Sequence, residues 1–221
     1  FASLQEGYKS SGGKMVDSEL GEIPVGWRKG KFAELAKIQP GFAFKSTDFT
    51  SSGYKVIKIA NIQDGIVDFA QSDHVTDTVF QTVDKKFHLR SGDVIIAMTG
   101  AQIGKIGIIP KTDEIMLLNQ RVGKLVSDYY LWAYYMLKGA EIQALINGIS
   151  SSSSAQPNIS NSDIGKTEVI IPDIQTLKYF CQMMDSLYHS LVSNLSENRI
   201  LSQIRDSLLP KLMSGNIRIK L

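Results

Sequence analysis

Apolar residues fall along this chain in two rhythms. From Val56 onward short β-branched runs alternate with turn residues: VIKIANI at 56–62, GDVIIAM at 92–98, KIGIIP at 105–110 and TEVIIP at 167–172. Runs of this length, punctuated by Gly-Asp, Asp-Gly and Pro-Lys, predict strands of a mixed or mostly antiparallel sheet. Between them YYLWAYYMLKGAEIQALI, 129–146, is too long for a strand and apolar enough to predict one core helix. The fold class expected is α+β, a globular domain that Pro172 closes.

Beyond Pro172 the rhythm changes. Asp173 is placed to cap a helix start with its carboxylate. Leu177, Phe180, Met184, Leu187 and Leu191 then recur at alternating spacings of three and four, the seam that one helical face presents. Asn194 and Asn198 interrupt it, and Leu201, Ile204 and Leu208 restore it. A helix from Asp173 to Leu209 would run roughly 50 Å at about 1.5 Å per residue. The alternative is a helix folded back on its own domain. The length and the seam asparagines, which set register and partner number in coiled coils, favour a partner helix from another chain or another half of this one. Pro210 is expected to stop the helix, because its ring cannot continue the hydrogen-bond ladder. Gly215 then allows a turn before a last apolar stretch with Leu212, Met213 and Ile217.

The 221 residues suffice for one good core plus an appendage. A formal charge of +2 permits a nucleic-acid partner without requiring one, since clustering matters more than totals. The single cysteine, Cys181, excludes an internal disulfide framework and a multi-cysteine zinc site. No apolar run approaches a membrane span, so a cytoplasmic protein without membrane partners is expected. The first residue is Phe1, which suggests a cut from a longer polypeptide, and residues 1–15 read as a helix remnant and a Ser-Ser-Gly-Gly linker.

Several chemistries lack their residues. TGAQIGKI, 99–106, has one spacer too few for a phosphate loop and Ile106 where a hydroxyl would hold magnesium, so a β-turn is the default. His74, His88 and His189 have no second ligand at metal spacing. There is no Gly-x-Ser-x-Gly elbow and no Gly-rich cofactor turn. No catalytic residue, metal or cofactor is expected.

Polar segments do stand at the strand ends. Arg28, Lys29 and Lys31 follow Trp27; GFAFKSTDF, 41–49, interleaves aromatics with Lys45 and Ser46; Lys85, Lys86 and Arg90 bracket Phe87 and His88; LNQRVGK, 118–124, joins an amide pair to Arg121. Lys and Arg neutralise phosphates, while Asn, Gln and Arg offer bidentate hydrogen bonds to base edges. Each cluster taken singly also fits a solvated loop. The serine tract ISSSSSAQPNIS, 149–160, fits a flexible surface loop or a small-residue loop that approaches a DNA backbone.

In order, VDSELGEIPVGW (16–27), GFAFKSTDF, LRSGDVIIAMTGAQIGKIGII (89–109), LNQRVGKL, SSAQPNISNSDI (153–164) and RDSLLPKLMSGNI (205–217) resemble the DNA-specificity subunit of Type I restriction-modification systems over nearly the whole chain. The resemblance implies one target-recognition domain, 16–172, and one helical region, 173–221, of a subunit that carries two of each. The chain then corresponds to a C-terminal half, or to a half-sized subunit that dimerises. It implies a non-catalytic protein that binds one half-site of a bipartite double-stranded DNA target and scaffolds methyltransferase and restriction-translocase subunits. Its helix would pair antiparallel with a second specificity half or a second copy, through Leu177, Phe180, Met184, Leu187, Leu191, Leu201, Ile204 and Leu208. The segment after Pro210 would then dock near the other recognition domain.

The DNA contacts expected on this footing are Lys45, Ser46, Lys58, Lys85, Lys86, Thr99, Gln102, Lys105, Arg121, Ser153, Ser154 and Gln156. Lys45, Lys105 and Arg121 lie in motifs shared by subunits with different targets and fit phosphates or the loop scaffold, Arg121 equally a structural ion pair. Base reading falls to 63–90, where no family motif stands. The chain departs from the family pattern at 126–129, where a longer stretch usually precedes the aromatic helix. Two alternatives remain at the level of sequence: the recognition end of a fused single-chain restriction-methyltransferase, and a protein assembly module with a dimerising helix.

Overall fold

The computed structural model describes residues 9, 12–19, 21–151, 157–214 and 217. Most of the expected N-terminal linker lies outside them, as do Ser153, Ser154, Gln156 and Gly215. The chain passes through β1 (Met15–Val16), β2 (Ile23–Pro24), β3 (Arg28–Lys31) and β4 (Lys37–Pro40). There follow β5 (Phe49–Thr50), β6 (Tyr54–Ile57), β7 (Ile62–Gln63), β8 (Ile66–Val67), β9 (Asp73–Val75) and a short helix α1 (Asp77–Thr82). Then come β10 (His88–Leu89), β11 (Val94–Ala97), β12 (Ile106–Ile108), β13 (Met116–Leu118) and β14 (Val122–Val126). Helices α2 (Tyr130–Leu137), α3 (Ala140–Ser151) and α4 (Asn161–Lys166), strand β15 (Glu168–Ile171) and the long α5 (Ile174–Met213) complete the α+β fold.

One six-stranded sheet runs β4-β14-β11-β12-β8-β7 and one five-stranded sheet runs β10-β13-β6-β9-β5. Both are mixed: β12 and β13 pair in parallel with β8 and β6, and the other pairings are antiparallel. The uninterrupted run Val94–Ala97 explains the layering. Successive side chains of a strand point to opposite faces, so a strand apolar at every position is buried on both. Val94 and Ile96 enter a core under the helices with Leu131, Leu137, Ile142, Tyr188 and Val192. Ile95 and Ala97 enter a second core between the sheets with Ile57, Phe69, Met116 and Leu118. The outer face of the five-stranded sheet carries a third cluster of Phe44, Val56, Val75, Val83 and Leu117, flanked by Phe42, Phe49 and Phe87.

The expected single helix over 129–146 is two. The backbone tightens at Lys138 and Gly139, whose amides donate back to Tyr134, Tyr135 and Met136. The Gln143 side-chain Nε2 then donates to the freed Leu137 carbonyl at 2.8 Å. The break lets α2 bury Leu131, Ala133 and Leu137 while α3 buries Ile142 and Ile146.

Helix α5 begins as expected, with Asp173 accepting from the Thr176 amide at 2.9 Å. It does not stop at Pro210 but continues to Met213. A proline in the last turn removes one N–H, and the Ser214 amide closes the turn onto the Pro210 carbonyl at 3.0 Å. Forty residues give the helix a length of about 60 Å.

The domain accompanies α5 for well over half of this length, further than the sequence reading allowed. Tyr188 donates its hydroxyl to the Gly92 carbonyl at 2.7 Å, Tyr130 donates to Asp185 at 2.7 Å, and the Lys111 amide donates to the Val192 carbonyl at 3.1 Å. The Arg199 guanidinium lies 4.2 Å from the centre of the Phe69 ring. The docked face follows Leu177, Cys181, Met184, Tyr188, Val192 and Leu195, a 3.6-residue repeat. The Leu177–Leu191 seam read from the sequence repeats every 3.5 residues and so drifts off that face. Leu177 is buried and Phe180 and Met184 half-buried, whereas Leu187, Leu191, Leu201, Ile204 and Leu208 are exposed.

Candidate nucleic-acid interface

The motifs singled out in the sequence meet at the turn Asn119–Arg121, between β13 and β14. The Asn119 amide donates to the Ile57 carbonyl at 3.1 Å, and the Met98 amide donates to the Arg121 carbonyl at 3.0 Å. On the other flank Gly41 and Phe42 donate to the Val122 and Leu118 carbonyls at 3.1 and 2.8 Å. The approach there is so close that a Cβ on Gly41 would lie 2.1 Å from the Asn119 carbonyl oxygen. Three stretches separated by tens of residues thus clamp one short turn.

The Thr99–Gln102 loop joins this cluster. Thr99 bridges Asn158, the Gly100 amide donates to the Pro157 carbonyl at 2.9 Å, and the Ile159 amide donates to the Met98 carbonyl at 3.0 Å. The serine tract therefore ends against the turn that carries Thr99, Gln102 and Lys105. Gly104 holds this loop against α3: a Cβ there would meet Ile146 at 2.4 Å, and its φ is +82°. Lys105 and Arg121 are exposed, and Gln102 is half-buried with its Oε1 unpartnered among the described residues.

Lys45, Ser46, Lys85 and Lys86 surround the neighbouring aromatic cluster. Lys45 and Ser46 sit on an exposed 3-10 turn where Asp48 accepts from the Lys45 amide at 2.7 Å. Lys85 and Lys86 open a second turn capped by Asp84, which accepts from the Lys86 amide at 2.8 Å. Phe87 of that turn lies 5.5 Å from Phe42, which bridges Asn119. Lys58 is differently placed: its ammonium pairs with Asp73 and stands 3.9 Å above the Phe49 ring.

Electrostatics divide the segment 63–90. Positions 63–84 carry Asp64, Asp68, Asp73, Asp77 and Asp84 and no lysine or arginine, whereas Lys85, Lys86 and Arg90 follow at once. His88, stacked on Phe80 at 4.9 Å, is held below the usual imidazole range, first by burial and then by Arg90, Lys124 and Lys85, against a hydrogen bond with the Val83 backbone. Burial pushes the Asp93 carboxyl up, although Lys124 stands 3.8 Å away. Lys45, Lys85, Lys86, Lys105 and Arg121 are exposed and make no ion pair among the described residues. The sequence gave both amides of LNQR the same base-edge chemistry and placed neither among the expected contacts, because only the fold shows Asn119 buried and Gln120 exposed. No helix among the described residues is long and apolar enough to cross a membrane.

Residues 24–204 match the family described as Type I restriction modification DNA specificity domain. The chain is 28% identical over 221 aligned positions to the Type I restriction enzyme MjaVIII specificity subunit of Methanocaldococcus jannaschii, covering 92% of this chain and 49% of that protein. It is 23% identical to the HindI specificity subunit of Haemophilus influenzae, covering 98% and 48%. Among solved structures it is similar to the HsdS subunit from Thermoanaerobacter tengcongensis, with a TM-score of 0.52 at 17% identity over 90% of this chain and 48% of that one. A Type I restriction-modification S subunit from M. genitalium gives 0.50 at 18% identity over 85% and 46%. The chain spans about half the length of the curated relatives it matches.

Proposed function

The chain belongs to the family of Type I restriction modification DNA specificity domains, and from that premise we propose that it reads one half-site of a bipartite DNA target without itself catalysing a reaction. The observation that carries this reading is the meeting of four sequence motifs at the clamped Asn119–Arg121 turn, next to free cations. Lys45, Lys85, Lys86, Lys105 and Arg121 grip phosphates; Thr99, Gln102, Ser46 and the end of the serine tract approach the duplex; bases are read from 63–90, with Lys85–Arg90 as its electropositive end. Lys58 is a weaker contact, since Asp73 already neutralises it.

In this reading residues 16–172 are the recognition domain and 173–221 the helical region. The exposed stripe Leu187, Leu191, Leu201, Ile204 and Leu208 pairs with a second specificity half or a second copy. Methyltransferase subunits, and through the complex a restriction subunit, assemble around the paired helices and supply the chemistry.

Salt tests the reading. Five phosphate contacts give a slope of log affinity against log salt of about −4.5, a loss of roughly 500-fold between 50 and 200 mM. A flat salt response of duplex binding refutes it. Methylation mapping in cells with the matched methyltransferase partner then returns the target, and exchange of 28–171 for another recognition domain must change one half of it.

A further inference from the structure

Resting on the DNA-contact reading above, we propose that Gln120 and Arg121 form one donor-only contact for an acceptor edge of the duplex, and that buried Asn119 is the positioning residue that sets its polarity. Asn119 is 8% exposed, while Gln120 and Arg121 are exposed. Its backbone is fixed by the hydrogen bond that its N–H donates to the Ile57 carbonyl and by the Val122 amide, which donates to its carbonyl at 2.9 Å. Its side chain faces its two neighbours with opposite atoms: Nδ2 donates to Gln120 Oε1 at 3.4 Å, and Oδ1 accepts from the Arg121 amide at 3.4 Å.

The consequence is chemical. A glutamine carries one acceptor oxygen and one donor nitrogen, so turning the oxygen toward Asn119 leaves the N–H groups for whatever lies outside. Arginine has donors alone. The turn therefore presents N–H groups side by side and no side-chain acceptor. Phosphate oxygens match that polarity, as do guanine O6 and N7 and thymine O4, whereas adenine and cytosine place an N–H of their own at the major-groove edge.

The test is duplex binding by the full chain at fixed salt, with a melt of each variant. Gln120→Met keeps the length of the side chain but removes its donors, and is expected to weaken binding about tenfold at unchanged Tm. Asn119→Asp still accepts from the Arg121 amide but sets an oxygen against Gln120 Oε1, so the Gln120 amide turns to donate inward and shows its oxygen to the duplex. That variant is expected to lose as much, and adding Gln120→Met to it is expected to cost nothing more, because the two changes remove one contact. Should Asn119→Asp fail to fold, Asn119→Ala removes the whole carboxamide and releases the Gln120 amide from its fixed orientation, so Gln120→Met is expected to cost less in that background than in the wild-type chain.

The source of the acceptor is read with 7-deazaguanine or 6-thioguanine at each guanine, 4-thiothymine at each thymine and methylphosphonate at each phosphate; one of these must abolish the advantage of the wild-type chain over Gln120→Met. Additive losses, a Gln120→Met effect within twofold, or no response to any of these substitutions overturns the proposal while the DNA-contact reading stands. A wild-type chain with no salt-dependent binding removes both.

Discussion

Two leucines on the same helix, ten residues apart, are expected to behave in opposite ways. Leu177 is 2% exposed and packs in the core beneath the helices, whereas Leu187 is 59% exposed. Leu177→Ala leaves a cavity in a packed core and costs about 2–5 kcal/mol. For a chain of this size each kcal/mol moves Tm by about 2–4 °C, so the melt should fall by about 4–20 °C. Leu187→Ala removes a side chain that mostly faces water and should change stability by less than about 0.5 kcal/mol. Its effect belongs to association: complete burial of a leucine contributes about 1.5–3 kcal/mol, and the exposed fraction corresponds to roughly tenfold weaker helix pairing. Leu187→Asp, which would bury an unpaired carboxylate, should abolish pairing. Circular dichroism melts of the dilute chain give the first quantity, and sedimentation with the partner helix gives the second. Equal falls in Tm for the two alanine variants, or pairing indifferent to Leu187→Asp, would refute the assignment of two separate faces to α5.

Gly41→Ala forces a Cβ to within 2.1 Å of the Asn119 carbonyl oxygen, so it should destabilise the domain by about 1–3 kcal/mol and weaken DNA binding together, read by melt and titration. Lys58→Ala should leave the salt slope of DNA binding unchanged, since its ammonium is held by Asp73, whereas Lys85→Ala with Lys86→Ala should lower the slope by about 1.8. Asp173→Ala should cost about 1 kcal/mol at neutral pH through loss of the helix cap. Hydrogen bonds from Thr176 hold the Asp173 carboxyl below the usual carboxylate range, so this stabilisation is present above the unfolded pKa of about 3.9 and disappears as pH falls through the folded value. Melts of the two proteins should therefore converge in acid.

How far the fold could be read from the sequence depended on whether the signal was local. The all-apolar run at β11 and the Asp173 cap are decided by a few neighbouring residues, and both were legible. The break at Lys138–Gly139 was not, because it is the two packing directions of α2 and α3 that divide an otherwise continuous helical pattern. The drift between a 3.5-residue seam and a 3.6-residue docking face was in the sequence, yet only the domain alongside α5 shows which residues each one uses. Pro210 misled because a proline rule for helix interiors loses force in a solvated last turn. At the site, the motifs were visible but their meeting was not: Gly41, Ile57, Met98 and Asn119 are brought together by pairings between strands far apart in the chain. Asn119 and Gln120 carry the same carboxamide one position apart, so only burial separates the residue proposed to position from the residue proposed to touch.

Strand β3, Arg28–Lys31, lies antiparallel to β15, Glu168–Ile171, in a four-residue register. Everything between them is thus a loop of well over a hundred residues sewn shut at its neck, and the neck is made mainly of backbone hydrogen bonds that do not depend on what is stitched above. A different head that closes on paired strands in the same way, and repeats the docking groups found here at Gly92, Lys111 and Tyr130, could be spliced onto the same stalk. Chimeras cut at Arg28 and Ile171 should melt in one cooperative step, while cuts inside the seam should not.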